Sequence, residues 1–281
     1  MKIFVCIIFF SQFIFADDKS NYEITLFPKG RIFQELSSNQ EEARIGLWRF
    51  LTNAKMKVEM GGSSDLISFQ NENQKIAFGI DFFAYGNVIG ANGLHLQIDA
   101  IDGFFGGHIS YVEEKFEIRF RGLHHSAHLV DGNWWITEFP RDWKKKPIPF
   151  TTDFGEIVFA KKSVWESFVN RPYIGIAQSF FNRPNDLKKF SFFMGDEIYS
   201  NKVFPKVQNK DLNLFASYHL SFLGVPKYVA QNNFKVGSKL GNWNDNGINF
   251  FLIFFTGRYF FGQYYNENIK TIGLGFNVDF Q

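Results

Sequence analysis

The stretch from Thr271 to Phe280, TIGLGFNVDF, alternates apolar residues with small or polar ones without a break. Successive side chains of an extended chain point to opposite faces, so its five apolar residues share one face. Its glycines, with Asn277 and Asp279, share the other. A strand of this kind must hide one face in a protein core or in lipid, and this need constrains the fold more than any other feature.

The same period of two recurs along the chain. Clear alternating segments lie at 75–86, 93–101, 115–122 and 211–220, and 248–257 is predicted to be a strand that is apolar on both faces. Weaker candidates lie at 44–51, 55–61, 105–112, 155–161, 172–181, 189–196 and 232–240. Turn-forming residues separate them, and no segment has a convincing helical period. The chain has 38 Phe residues and 19% aromatic residues, yet its mean hydropathy is only −0.16. Alternation explains both values, and we predict one all-β domain of roughly a dozen strands.

The N-terminus has the organisation of a secretory signal peptide. A lysine precedes an apolar run from Ile3 to Phe15, and Ala16 follows before an acidic pair. We predict cleavage after Ala16, which removes Cys6 and leaves a mature protein without thiols or disulfides. The predicted division is a signal peptide at 1–16, a periplasmic segment or first strand at 17–42, and a barrel at 43–281.

The strand faces favour a membrane barrel over a soluble exported β-protein, which stays open as the alternative. Glu117, Arg119 and Arg121 alternate with apolar residues, and we predict that they line a polar lumen. A closed barrel is the β-structure that leaves no unpaired backbone in lipid. The predicted fold is therefore a single antiparallel transmembrane β-barrel of roughly 12 strands in the outer membrane of a Gram-negative-type bacterium. The net charge of +2 gives no case for nucleic acid as a partner.

The terminal alternating segment is predicted to be the closing strand of this barrel. Its penultimate Phe280 resembles the C-terminal aromatic residue that the barrel-assembly machinery of the outer membrane reads, although Gln281 departs from the usual terminal Phe. We therefore expect that machinery and outer-membrane lipids as partners. The oligomeric state stays open.

Three segments carry a resemblance to a known family. They are LFPKGRIFQ with EEARIGL, FEIRFRGLHHSAHLVD, and the terminal GRYFFGQYYNENIKTIGLGFNVDF. Together they resemble a bacterial family of exported proteins catalogued as domain of unknown function 1207, from about residue 25 to the end. The most specific piece is His-x-Ser-x-His. The resemblance implies a membrane β-barrel and no established activity.

The segment HHSAH is the candidate site. Continuing the alternation of FEIRFRG places His124 and Ser126 on the apolar, lipid-facing side, where polar groups are costly unless they are functional. A histidine beside a serine can serve as base and nucleophile when a third group orients the imidazole. The arrangement resembles outer-membrane phospholipase A and the outer-membrane lipid A deacylase. We predict acyl-ester hydrolysis with Ser126 as nucleophile, His124 as base and Glu138 as the orienting group.

Other interpretations stay open at this point. His108 with Ser110 and His219 with Ser221 have the same spacing, but they fall on polar faces. The alternative function is a non-catalytic structural barrel or a narrow pore for small solutes. Three histidines within five residues also suggest a metal, but no acidic partner is obvious in the sequence. We predict no cofactor and leave a calcium requirement open.

Overall fold

The computed structural model describes residues 22–91, 95–134, 144–200, 204–225 and 227–280. The predicted signal peptide, including Cys6, lies outside these residues. The strands are β1 (Glu23–Leu26), β2 (Ile45–Phe50), β3 (Lys55–Gln70), β4 (Gln74–Ala91), β5 (His95–Glu113), β6 (Phe116–Leu129), β7 (Phe150–Lys161), β8 (Ser163–Trp165), β9 (Phe168–Asn170), β10 (Tyr173–Arg183), β11 (Phe190–Ser200), β12 (Leu212–Val225), β13 (Lys227–Leu240), β14 (Gly247–Arg258) and β15 (Asn268–Asp279). Two 3-10 turns cover Asp131–Asn133 and Gly262–Tyr264. In this described part of the chain no helix is long and apolar enough to cross a membrane.

Twelve of these strands close into an antiparallel barrel. β2 to β7 follow one another in order, β10 pairs with both β7 and β11, and β11 to β15 complete the circuit. β15 pairs with β2, with Asn277 opposite Gly46, and this pairing closes the ring of twelve strands. β1 adds to β3, and the β8–β9 hairpin adds to β11. The prediction of a single antiparallel barrel of about twelve strands is confirmed.

The barrel has two rims that are useful as landmarks. At the first rim β2 begins and β15 ends, and the β3–β4, β5–β6 and β13–β14 connections turn there. At the second rim lie the long connection at 130–149 and the β14–β15 connection at 259–267. β6 runs from the first rim to the second.

The alternation of the sequence becomes the two faces of the wall. On β4, Phe78, Ile80 and Phe82 are exposed to the outside, whereas Asp81 and Phe83 are buried inside. The outer face of the other barrel strands is also rich in exposed apolar residues, for example Phe105, Phe120, Phe159, Ile174, Phe190, Leu214, Phe254 and Leu274. These residues form an apolar belt around the barrel.

Two segments of the chain fill the interior. Residues 28–44, here called the inner segment, enter between β1 and β2 and bury Phe33 and Leu36 against the wall. From the second rim, residues 259–265 fold inward, and Phe261 and Gln263 are almost completely buried. Gln263 donates hydrogen bonds to the carbonyl oxygens of Ala127 and Ile148. The described interior is therefore packed with protein rather than open.

Ion pairs fix the inner segment to the wall. Glu42 accepts hydrogen bonds from Arg119 at 2.6 and 2.9 Å, and it lies 3.3 Å from Arg121. Glu156 on β7 accepts a second hydrogen bond from Arg121 at 2.9 Å. Burial raises the pKa of Glu42, but the two guanidinium groups outweigh this effect and lower the pKa to about 2. Glu42 is therefore charged in this position, as its two partners require.

Candidate functional site

Strand β6 presents its histidines to both sides of the wall. His124, Ser126 and His128 point outward, while His125 and Ala127 point inward and are buried. The outward set continues the face of Phe116, Ile118 and Phe120, as the alternation requires. His124 and Ser126 therefore lie two residues apart on the outer face of the barrel.

A carboxylate on the next strand contacts His124 on this face. Asp153 of β7 is the cross-strand partner of His124, and its Oδ1 lies 2.6 Å from the imidazole Nδ1. The two side chains are 33% and 50% exposed, so the pair is accessible from outside. With Asp153 accepting the Nδ1 hydrogen, the Nε2 atom of His124 remains an acceptor and bonds no described residue. This is the orientation that a general base needs.

The register of β7 explains why Asp153 comes to this position. β7 begins at Phe150, and Gly122 lies opposite Gly155, which sets Asp153 against His124 and Thr151 against Ser126. Asp153 is absent from the residues predicted from the sequence because the expected strand started only at 155. The alternation of TTDFGEIVF could have revealed this residue, because it places Asp153 on the same strand face as Phe159.

Ser126 lies between a glycine on one neighbouring strand and a threonine on the other. On the β5 side it lies opposite Gly103, where even an added Cβ would be 4.0 Å from the serine Oγ. On the β7 side it lies opposite Thr151, whose buried Oγ1 makes no hydrogen bond. No hydrogen bond joins Ser126 to His124 within the described residues. Catalytic contacts of this kind are often long in the absence of substrate and shorten when it binds.

The site has an apolar side wall and lies close to the second rim. The ring of Phe105 on β5 lies 4.7 Å from the imidazole of His124, at 34°. Ser126 precedes the end of β6 at Leu129 by three residues, which corresponds to roughly 10 Å along a strand. The apolar belt thus borders the site toward the first rim.

The remaining predicted site residues are distributed as follows. Glu138 lies outside the described residues, so its role stays a prediction. Glu117, Arg119 and Arg121 lie inside the barrel and are at most 5% exposed. Glu117 and Glu197 each bind Arg171 at 2.8 Å.

The other His-x-Ser pairs have structural surroundings. His108, Ser110, His219 and Ser221 are all buried in the interior. His108 lies 2.8 Å from Asp65 and 2.9 Å from Asp81, and the hydroxyl of Tyr173 contacts His219. The pair at 124 and 126 therefore differs from the other two in facing outward.

The three histidines of HHSAH do not converge on one point. His125 faces inward and contacts Asp102 at 2.8 Å, whereas His124 and His128 face outward. Over the described ranges, no group of three or more His, Cys, Asp or Glu side chains could hold a metal ion.

A broad apolar depression of about 600 Å³ lies away from this pair. It is lined by residues of β9 and β11 to β15, including Phe168, Leu214 and Phe250. Its lining includes no residue of β5, β6 or β7, and it carries no titratable side chain other than Tyr199. We therefore regard it as part of the apolar belt and not as the reaction site.

No protein-family model matches the chain, and no curated protein matches it. The resemblance to the family called domain of unknown function 1207 therefore stays a prediction, and the function has to be argued from the site.

Proposed function

We propose that this protein is an outer-membrane β-barrel that hydrolyses acyl esters of membrane lipids at its outer face. The observation that carries the proposal is the cross-strand contact of 2.6 Å between His124 Nδ1 and Asp153 Oδ1, on the face that holds Ser126. Asp153 takes the orienting role expected of Glu138.

Each side chain has a defined task in this mechanism. Ser126 Oγ attacks the ester carbonyl carbon while His124 Nε2 accepts the hydroxyl proton, and Asp153 stabilises the imidazolium that forms. His124 then gives the proton to the leaving alcohol, which leaves an acyl-serine. Water, deprotonated by the same imidazole, releases the fatty acid and restores the serine.

The hydroxyl of Thr151 is the proposed donor to the oxyanion. It lies on the strand position opposite Ser126 and has no hydrogen-bond partner. Its Oγ1 is buried, so the side chain has to rotate to bring the hydroxyl to the carbonyl oxygen, and because the hydroxyl has no partner this rotation breaks no hydrogen bond.

The apolar belt supports a lipid substrate. Exposed Phe and Leu side chains around the outer face are suited to hydrocarbon, and the site lies where the belt gives way to the second rim. The ester bonds of a lipid lie at the corresponding boundary between acyl chains and headgroups. The glycine at position 103 leaves space beside Ser126 for the acyl group.

The test is fatty-acid release by refolded protein in phospholipid vesicles and in micelles containing lipopolysaccharide, with and without calcium. We expect release from at least one substrate by the wild type and none above background by Ser126→Ala. The matched control is Ser238→Ala, since Ser238 also faces outward on β13. Absence of release in the wild type, with the barrel folded, would leave the non-catalytic barrel as the function.

A pore function would require the segments that fill the barrel interior to move out of it. The inner segment and residues 259–265 occupy the described interior, and Glu42 is bonded to two wall arginines. A solute path would need these contacts to break. The geometry therefore favours the outer-face site over a lumen function.

A further inference from the structure

Lys235 is a buried basic side chain without an ion-pair partner among the described residues. It points inward from β13 and is 2% exposed. It forms no hydrogen bond and no ion pair with any described residue, and its Nζ lies over the ring of Phe251, 4.6 Å from the centroid. A buried ammonium group normally needs a counter-charge, because removal from water costs several kcal/mol.

A cavity adjoins this lysine. It has a volume of about 60 Å³ and lies between the inner segment and strands β13 to β15. Ser37 and Arg44 line it from the inner segment, and Lys239, Asn249 and Asp279 line it near the ends of their strands. The cavity therefore lies just inside the first rim.

The side chains around the cavity carry an excess of positive charge. Its lining carries three cationic side chains and two acidic ones, which are Arg44, Lys235, Lys239, Glu35 and Asp279. Asp279 is bonded to Lys239 at 2.6 Å, and Glu35 is bonded to Arg31 outside the cavity. Arg44 donates to backbone carbonyl oxygens of the inner segment. Lys235 is the lining group with neither a counter-charge nor a carbonyl acceptor.

We propose that this cavity binds a small inorganic anion, held by the ammonium group of Lys235 between the inner segment and the barrel wall. The volume admits on the order of four water-sized atoms, which fits a halide or a phosphate ion but no lipid headgroup or sugar acid. The bound anion connects the two parts electrostatically and stabilises the docked inner segment. This site is independent of the proposed hydrolase.

The test measures the thermal unfolding midpoint of the refolded full-length mature protein in detergent. Bromide or phosphate replaces gluconate, an anion too large for the cavity, at constant ionic strength. We expect a saturable rise of about 3 °C for the wild type, because a ligand that binds the folded state alone raises its stability. Lys235→Met should abolish the rise.

The matched control is Lys206→Met, since Lys206 is exposed near the same rim and lies 3.8 Å from Asp211. It should keep the full anion response. Crystals grown with bromide provide a second measurement, an anomalous peak within hydrogen-bonding distance of Lys235 Nζ, which needs no variant to fold. An equal rise in the wild type and in Lys235→Met, no rise in either, or no peak at Nζ would each overturn the proposal.

Discussion

The hydrolysis that we propose for the outer face depends on one cross-strand pair. Without Asp153 the imidazole of His124 has no described hydrogen-bond partner, and nothing holds its single hydrogen on Nδ1. We expect Asp153→Ala to lower kcat for acyl-ester hydrolysis about 100-fold or more, because the base loses its orientation and its counter-charge. Fatty-acid release across a range of pH measures this effect. Asp196→Ala is the control, since Asp196 is an exposed outward aspartate on β11, and a similar loss there would contradict the role of Asp153.

Thr151 carries a second prediction at the level of a single side chain. Thr151→Val keeps the shape and removes the unpaired hydroxyl. We expect kcat to fall by about 10- to 1000-fold with little change in KM, because the lost hydrogen bond forms only as the oxyanion develops. Steady-state kinetics on a soluble short-chain ester separates the two constants. A rise in KM with unchanged kcat would assign Thr151 to substrate binding instead.

Among the elements, the inner segment is the largest part of the fold that strand periodicity cannot predict. Its residues have no period of two, so the sequence left 17–42 as a periplasmic segment or a first strand, whereas the structure places 28–44 inside the barrel. The strands themselves follow from alternation, which is a local property of each segment. The Asp153–His124 pair depends on register between two strands, and a single strand does not reveal its register.

The contact between Glu42 and the wall determines how firmly the inner segment is docked. Glu42→Gln leaves Arg119 and Arg121 with Glu156 as their shared carboxylate. Breaking a buried ion pair from one side costs about 3 kcal/mol, and we expect the free energy of unfolding to fall by that amount. Denaturant titration in detergent measures it. Glu72→Gln, in the exposed β3–β4 turn, should change stability by less than about 0.5 kcal/mol.

The same contact predicts a window of acid sensitivity. The pKa of Glu42 is lowered from its ordinary value of 4.5 to about 2, so its stabilising effect is complete above pH 4.5 and is lost as the pH falls toward 2. Between these values the wild type should lose more stability than Glu42→Gln, which has no carboxyl group to protonate at this position. If the free energies of unfolding of the two proteins changed equally with pH across this range, Glu42 would not be the group that responds to the pH.

For the whole molecule, the decisive property is the medium that surrounds the apolar belt. Leu274 is 58% exposed and lies halfway along β15, within the belt. In a lipid bilayer an arginine at mid-depth costs about 2–4 kcal/mol, whereas a change at an exposed site in water stays within about 0.5 kcal/mol. We expect Leu274→Arg to destabilise the barrel folded in phospholipid vesicles by about 2–4 kcal/mol. Urea titration and the gel shift of the folded barrel measure this loss.

The control for this experiment is Leu51→Arg, because Leu51 is 56% exposed but lies in the β2–β3 turn at the second rim. The cost of a charge falls toward zero near the membrane interface, so this variant should fold like the wild type. If both variants fold equally well and the protein stays monodisperse without detergent, the belt faces water and the outer-face site has no bilayer to act on. A penalty confined to Leu274 would place the belt in hydrocarbon, with Ser126 at its border within reach of lipid esters.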